Sequence, residues 1–164
     1  MSNKNQNLKN VMSTPRLVKI VLNTGVGRKS EAKELEAIQK HFELISGQKC
    51  VPAKAKKSIA SFKTRKGATV GLVCTLRGKR MRDFLFKLVN VTLARIRDFR
   101  GIDLKSVDQS GNLTIGFKEH IVFPEIADED IKIPFGLEVT LVTDATSKDA
   151  ALELFKGLGV PFKK

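Results

Sequence analysis

Four segments of the chain alternate apolar and polar residues with the period of a β-strand, a pattern that commits one face of each to a core. LVKIVLNT (17–24) turns Val18, Ile20 and Leu22 one way and Lys19 and Asn23 the other. TVGLVCTLRG (69–78) sets Val70, Leu72, Cys74 and Leu76 against Thr75 and Arg77. NLTIGFKE (112–119) sets Leu113, Ile115 and Phe117 against Thr114 and Lys118, and GLEVTLVTDA (136–145) alternates again. Residues 49–54 read as a further short strand.

Three helical stripes separate these strands. The first opens at Ser30, a capping residue, with Glu31 and Glu34 in its first turn, a stripe of Leu35, Ile38, Phe42 and Ile45, and Gly47 as the stop. The second, 79–97, carries Met81, Phe84, Leu85, Leu88, Val89 and Ile96. The third is capped around Thr146 and Asp149 and carries Leu152 and Phe155. The order is strand, helix, strand, strand, helix, strand, strand, helix, without regular βαβ repetition. It predicts an α+β fold: a mostly antiparallel sheet with helices packed on one face and an open cationic face. That face is expected to carry Lys19, Asn23, Thr75, Arg77, Thr114 and Lys118.

At 164 residues the chain suits one domain, expected over 16–164 behind a flexible polar lead-in at 1–15. Its net charge of +13 is unevenly spread: from Lys49 to Arg82 there are eleven basic residues and no acid. A polyanion is the natural partner, and nucleic acid the commonest. Ile59 and Phe62 are interleaved with these charges and are expected to anchor the stretch AKAKKSIASFKTRKG (53–67) to a core, unlike a disordered tail. Ala53, Ala55, Ser58, Ala60 and Ser61 are small enough for a polynucleotide backbone to approach. Trp and Tyr are absent, so stacking falls to Phe62 and Phe117, and recognition of structured RNA by shape and phosphate fits better.

Other chemistry is thinly provided for. TGVGRKS (24–30) fails the spacing of a phosphate loop, and Gly25 and Gly27 read as a tight strand-to-helix turn. Cys50 and Cys74 lack metal-ligand spacing and read as small buried hydrophobes, with reduced, cytoplasmic thiols expected. His41 falls on a helix flank, as a solvated or packed imidazole. The acids Glu125, Asp128, Glu129 and Asp130 suit Mg²⁺, which leaves an RNA-processing enzyme on the same basic platform as the alternative, but no nucleophile, base and orienter stand together. No catalytic residue, metal, cofactor or small-molecule substrate is expected. No stretch approaches the roughly 18 apolar residues of a membrane span, and no helix has the basic amphipathic face of a membrane-surface binder.

The words KIVLNTGVG, ISGQKCVPAKAKKSIASFKTRKG, TLRGKRMRDFL, ARIRDFRG, IVFPEI, GLEVTLVTDA and GVPFKK, in this order, resemble the bacterial L-five family of large-subunit ribosomal proteins, which binds 5S rRNA. The resemblance spans about residues 15–164. It implies an α+β protein of the central protuberance, bound to the cytoplasmic ribosome, that joins 5S rRNA to 23S rRNA, contacts P-site tRNA, and meets neighbouring protuberance proteins and a basic small-subunit protein. Carried over residue by residue, it implies an rRNA platform of Lys19, Asn23, Gly25, Gly27, Lys49, Lys54, Lys56, Lys57, Ser58, Lys63 and Arg77. It further implies a tRNA loop over 64–71 with Arg65, Lys66, Gly67 and Gly71, and an intersubunit bridge at Asp128, Glu129 and Asp130. The chain departs from the family in three places: a short polar lead-in stands where a helical segment usually precedes the first strand, Ala94 stands where Pro is common, and Leu113 where an aromatic is common. The last change is expected to remove a stacking side chain.

Overall fold

A computed structural model of the protein describes residues 14–27, 32–126 and 134–163. The expected element order is found: β1 (Leu17–Gly25), α1 (Ala32–Ser46), β2 (Val51–Lys54), β3 (Thr69–Leu76), α2 (Gly78–Lys87), β4 (Leu113–Phe117), β5 (Leu137–Thr143) and α3 (Lys148–Gly157). The strands form one sheet in the order β2-β3-β1-β5-β4, and every neighbouring pair is antiparallel. β1, the first strand in the chain, therefore lies at the centre, between β3 and β5.

Alternation buries Ile20 and Leu22 of β1, Leu72, Cys74 and Leu76 of β3, Leu113, Ile115 and Phe117 of β4, and Leu137, Val139 and Leu141 of β5. These meet Ile38, Phe42 and Ile45 of α1, Phe84 and Leu88 of the second helical segment, and Phe155 of α3 in one core. Phe42, Phe123 and Phe155 are fully buried, and each such side chain contributes about 1.5–3 kcal/mol by leaving water. His41 packs as well: its ring stacks on His120 at 5.3 Å, and His120 stacks on Phe135 at 3.9 Å.

The structure corrects several details. Val18 is 41% exposed, because the β1–β5 register slips between Leu17 and Lys19; this bulge brings Leu17 rather than Val18 against the core. The second helix does not run to residue 97. After Lys87 it widens into a π turn over Leu88–Thr92, where the Leu93 N–H donates to the Leu88 carbonyl five residues back, and closes in a 3₁₀ turn over Leu93–Arg95. The extra residue rotates the buried stripe, so Thr92 and Leu93 turn inward while Val91 faces out. Ala94 is exposed in that closing turn. The cap of α3 is Ser147, not Thr146: its hydroxyl accepts the Ala150 N–H at 3.3 Å. Leu113 and Phe117 are both buried, so neither position offers a ring for stacking on RNA. The expected cap at Ser30 and the acid at Glu31 lie outside the described residues, as does almost all of the lead-in.

One end of the sheet, where β1 and β4 begin and β5 finishes, is tied by two carboxylates. Asp144, just past β5, accepts from the Arg16 N–H at 2.6 Å and from Arg16 Nε at 3.0 Å, and Asp108 accepts from the Asn112 N–H at 2.7 Å. Hydrogen bonds from Arg16 and Asn112 hold the two carboxyls below the ordinary Asp range. Since their folded pKa values are depressed, their contribution to stability is present above the unfolded value of about 3.9 and disappears as pH falls through the folded values. Both groups are solvent-exposed, so the effect is modest. Thermal melts from about pH 6 to 2 should show an acid limb that becomes shallower in Asp108→Asn/Asp144→Asn; an unchanged limb would remove these two groups from its cause.

Candidate nucleic-acid interface

The basic stretch is a hairpin that extends the β2–β3 edge of the sheet. Past the bulged Lys54–Thr69 pair, the Ala55 N–H donates to Ala68 O at 2.8 Å, Gly67 N–H donates to Ala55 O, and Ile59 and Thr64 bond each other in both directions. Lys63 turns the tip in the left-handed region, with φ 51°, and its N–H donates to Ala60 O at 3.0 Å. The Ser58 hydroxyl accepts the Lys66 N–H at 3.0 Å. Backbone bonds hold this hairpin, and the expected apolar anchors do not: Ile59 is 46% and Phe62 66% exposed. Among the described residues no helix packs behind the finger, and from Ala55 to Ala68 all but Ala55 and Thr64 are exposed.

Lys54, Lys56, Lys57, Ser58, Lys63, Arg65, Lys66 and Gly67 are all exposed on this finger. Gly25 and Gly27 lie beside its base, because Gly25 pairs with Gly71 and the Val26 N–H continues the ladder to Val70 O. Gly27, Phe62, Lys63, Thr64, Ala68, Thr69 and Val70 line a cleft of about 550 Å³ between turn and hairpin. Gly71 itself is in β3 and buried, not in the loop: a Cβ there would lie 2.7 Å from the Thr24 carbonyl oxygen. It sets strand spacing, and the loop ends before Thr69.

Lys49 and Arg77 are placed at the other end of β3, with Arg77 exposed as the residue capping α2. Eight strand residues separate that end from the hairpin, about 25 Å. There Arg80 Nη1 donates to Gln48 Oε1 at 3.2 Å, and Gln48 Nε2 donates to the Thr75 carbonyl at 3.0 Å, a link between helix, connection and strand with no signal in the sequence. Cations thus flank the β2–β3 edge at both of its ends.

The helix-free face of the sheet is quieter. Cross-strand register lines up Val51, Val73, Asn23, Glu138 and Gly116 in one row and Thr75, Val21, Thr140 and Thr114 in the next. Lys19 is half-buried and paired with Val142; Asn23 Nδ2 donates to Glu138 Oε2 at 3.4 Å. Glu138 is an acid in the middle of this face that reading strands one at a time did not place there. Lys118 is exposed just beyond β4. Among the acids considered for Mg²⁺, Glu125 is half-buried and paired with Lys87 Nζ, which also donates to Ile45 O at 2.8 Å. Asp128, Glu129 and Asp130 lie outside the described residues.

Two family models match this chain in tandem: "Ribosomal protein L5" over residues 10–65, and the model of the C-terminal part of the same ribosomal family over residues 69–162. The chain belongs to the ribosomal L5 family. The two matches meet at the hairpin, so the basic edge is where the two halves of the family pattern join. Among its relatives, the "Large ribosomal subunit protein uL5" of Halothermothrix orenii is 49% identical over 156 residues, covering 94% of this chain and 87% of the relative. The protein of the same description from Streptococcus uberis is 51% identical over 159 residues, covering 96% and 88%. Family membership places the chain among constituents of the large ribosomal subunit and not among enzymes.

Proposed function

We propose that this member of the ribosomal L5 family binds 5S rRNA and helps attach it to 23S rRNA in the bacterial cytoplasm, contacts P-site tRNA, and contributes to an intersubunit bridge. The observation that carries the RNA reading is the backbone-bonded hairpin on which every cation is exposed, within a stretch from Lys49 to Arg82 that holds no acid. A surface ordered before binding loses less conformational entropy when phosphates arrive than a free tail does.

Lys54, Lys56, Lys57, Ser58 and Lys63 are assigned to 5S rRNA together with the neighbouring turn at Gly25 and Gly27. Lys19 and Asn23 meet the same RNA from the open face, and Lys49 and Arg77 extend the contact along the edge. Arg65, Lys66 and Gly67, on the returning side of the hairpin, are assigned to tRNA. The assignment of Asp128, Glu129 and Asp130 to a basic small-subunit protein rests on charge complementarity alone.

A gel shift with 5S rRNA against an unrelated structured RNA of equal length tests the partner. Specific retention of 5S rRNA is expected, with affinity falling roughly a thousandfold between about 50 and 200 mM salt for six phosphate contacts. Equal affinity for both RNAs, or a flat salt dependence, would overturn the reading.

A further inference from the structure

The two cysteines, 24 positions apart in the sequence, are neighbours in the sheet. Val51 of β2 pairs with Val73 of β3, so Cys50, one residue before β2, stands opposite Cys74. Both are free thiols, 4% and 2% exposed, on the core side of the edge. Directly opposed residues in an antiparallel pair have Cα atoms about 4.5–5.5 Å apart, inside the window of roughly 4.4–6.8 Å that a disulfide spans. Cys50 Sγ lies 3.6 Å from the Ser46 hydroxyl and 3.5 Å from the Gln48 carbonyl oxygen.

We propose that Cys50 and Cys74 are a dithiol site that closes into an intramolecular disulfide on exposure to peroxide, cross-linking the start of edge strand β2 to β3 at the end of the pair opposite the basic hairpin. The neighbouring Cys50 thiol is the main stabiliser of a Cys74 thiolate, helped by Ser46, Gln48 and the charge of Arg80, and the Cys74 thiol is lowered to about 6. Cys50 is pushed up by the adjacent Cys74 and by burial, so it keeps its proton. Cys74 is therefore the nucleophile. Its sulfur displaces hydroxide from hydrogen peroxide, giving the sulfenic acid and, with one proton, water. Cys50 sulfur then attacks Cys74 sulfur, the S–O bond breaks, and the oxygen leaves as a second water with the Cys50 proton. Two thiols lose two hydrogens, and one peroxide is reduced to two waters. Opening of β2, an edge strand of four residues, admits the oxidant.

The proposal stands whether or not the hairpin binds 5S rRNA. Its test is intact mass spectrometry of the folded, full-length protein after peroxide at about neutral pH, with alkylation under denaturing conditions. The expected product is monomeric, lighter by two hydrogens, closed to alkylation until a reductant is added, and yields one cross-linked peptide containing Cys50 and Cys74. Its melting temperature should rise, because the bridge closes a loop in the unfolded chain. In Cys50→Ser the reaction should stop at a Cys74 sulfenic acid that a dimedone probe captures. Two alkylatable thiols after peroxide, oxidation to sulfinic acid without a cross-link, or a cross-link formed only in urea would each overturn the proposal, and all three are read on the wild-type protein.

Discussion

Replacing Lys54, Lys56 and Lys57 together by Glu is expected to lower the affinity for 5S rRNA by roughly a thousandfold at about 0.1 M salt and to leave the fold intact. Each lysine projects from the hairpin away from the core, so each is free to meet a phosphate and none is needed for packing. In water a charge pair at contact distance is worth about 1 kcal/mol. Removing three attractions and adding three repulsions changes binding by about 4–6 kcal/mol, and each 1.4 kcal/mol is about tenfold. The salt slope should fall by about one for each phosphate no longer neutralised. Surface substitutions of this kind usually shift stability by less than about 0.5 kcal/mol each, so the melting temperature should move by only a few degrees. Lys105→Glu/Lys156→Glu/Lys163→Glu, three exposed lysines away from the β2–β3 edge, applies the same change in net charge. If both triples weaken binding equally in a filter-binding assay, only net charge matters and the hairpin assignment fails.

That hairpin also shows what sequence reading reaches and where it stops. Alternation at Ile20 and Leu22, at Leu72, Cys74 and Leu76, and at Leu113, Ile115 and Phe117 revealed the strands and their buried faces, because burial on one side of a pleated strand leaves a period of two. The same logic misassigned Val18, since a bulge changes phase without changing composition. It also read one continuous helix through the π turn at Leu88–Thr92. Ile59 and Phe62 read as anchors because apolar residues usually seek a core; whether a core lies within reach depends on how far the hairpin projects, which is a tertiary property. Gly71 carried a signal, its lack of a side chain, but whether it served a loop or a close strand pair required the register with Gly25. Glu138 beside Asn23 and Cys50 opposite Cys74 are likewise facts of register, invisible along the chain.

Two of the sequence words that carried the family resemblance, ARIRDFRG and GVPFKK, meet at Gly101, and Gly101→Ala is expected to lower the melting temperature by roughly 10 °C. Gly101 has φ +99°, a conformation that disfavours any side chain, and a Cβ there would lie 2.7 Å from Lys163 N and from Phe162 C. Those are backbone atoms and cannot rotate away. The C-terminal segment must shift, which breaks the Ile102 N–H to Pro161 O bond of 2.8 Å and the Lys163 N–H to Ile102 O bond of 2.9 Å. The left-handed φ costs about 1–2 kcal/mol and each hydrogen bond about 1 kcal/mol, for a loss of about 3–4 kcal/mol at about 2–4 °C each. Gly116→Ala supplies the control: nothing lies within 4 Å of its added Cβ, and its melting temperature should stay within about 2 °C of wild type. Removing residues 161–164 separates the two causes, since in that background Gly101→Ala meets no clash and should retain only the cost of its φ. Equal losses in the full-length and truncated proteins would show that the C-terminal segment is not what Gly101 makes room for.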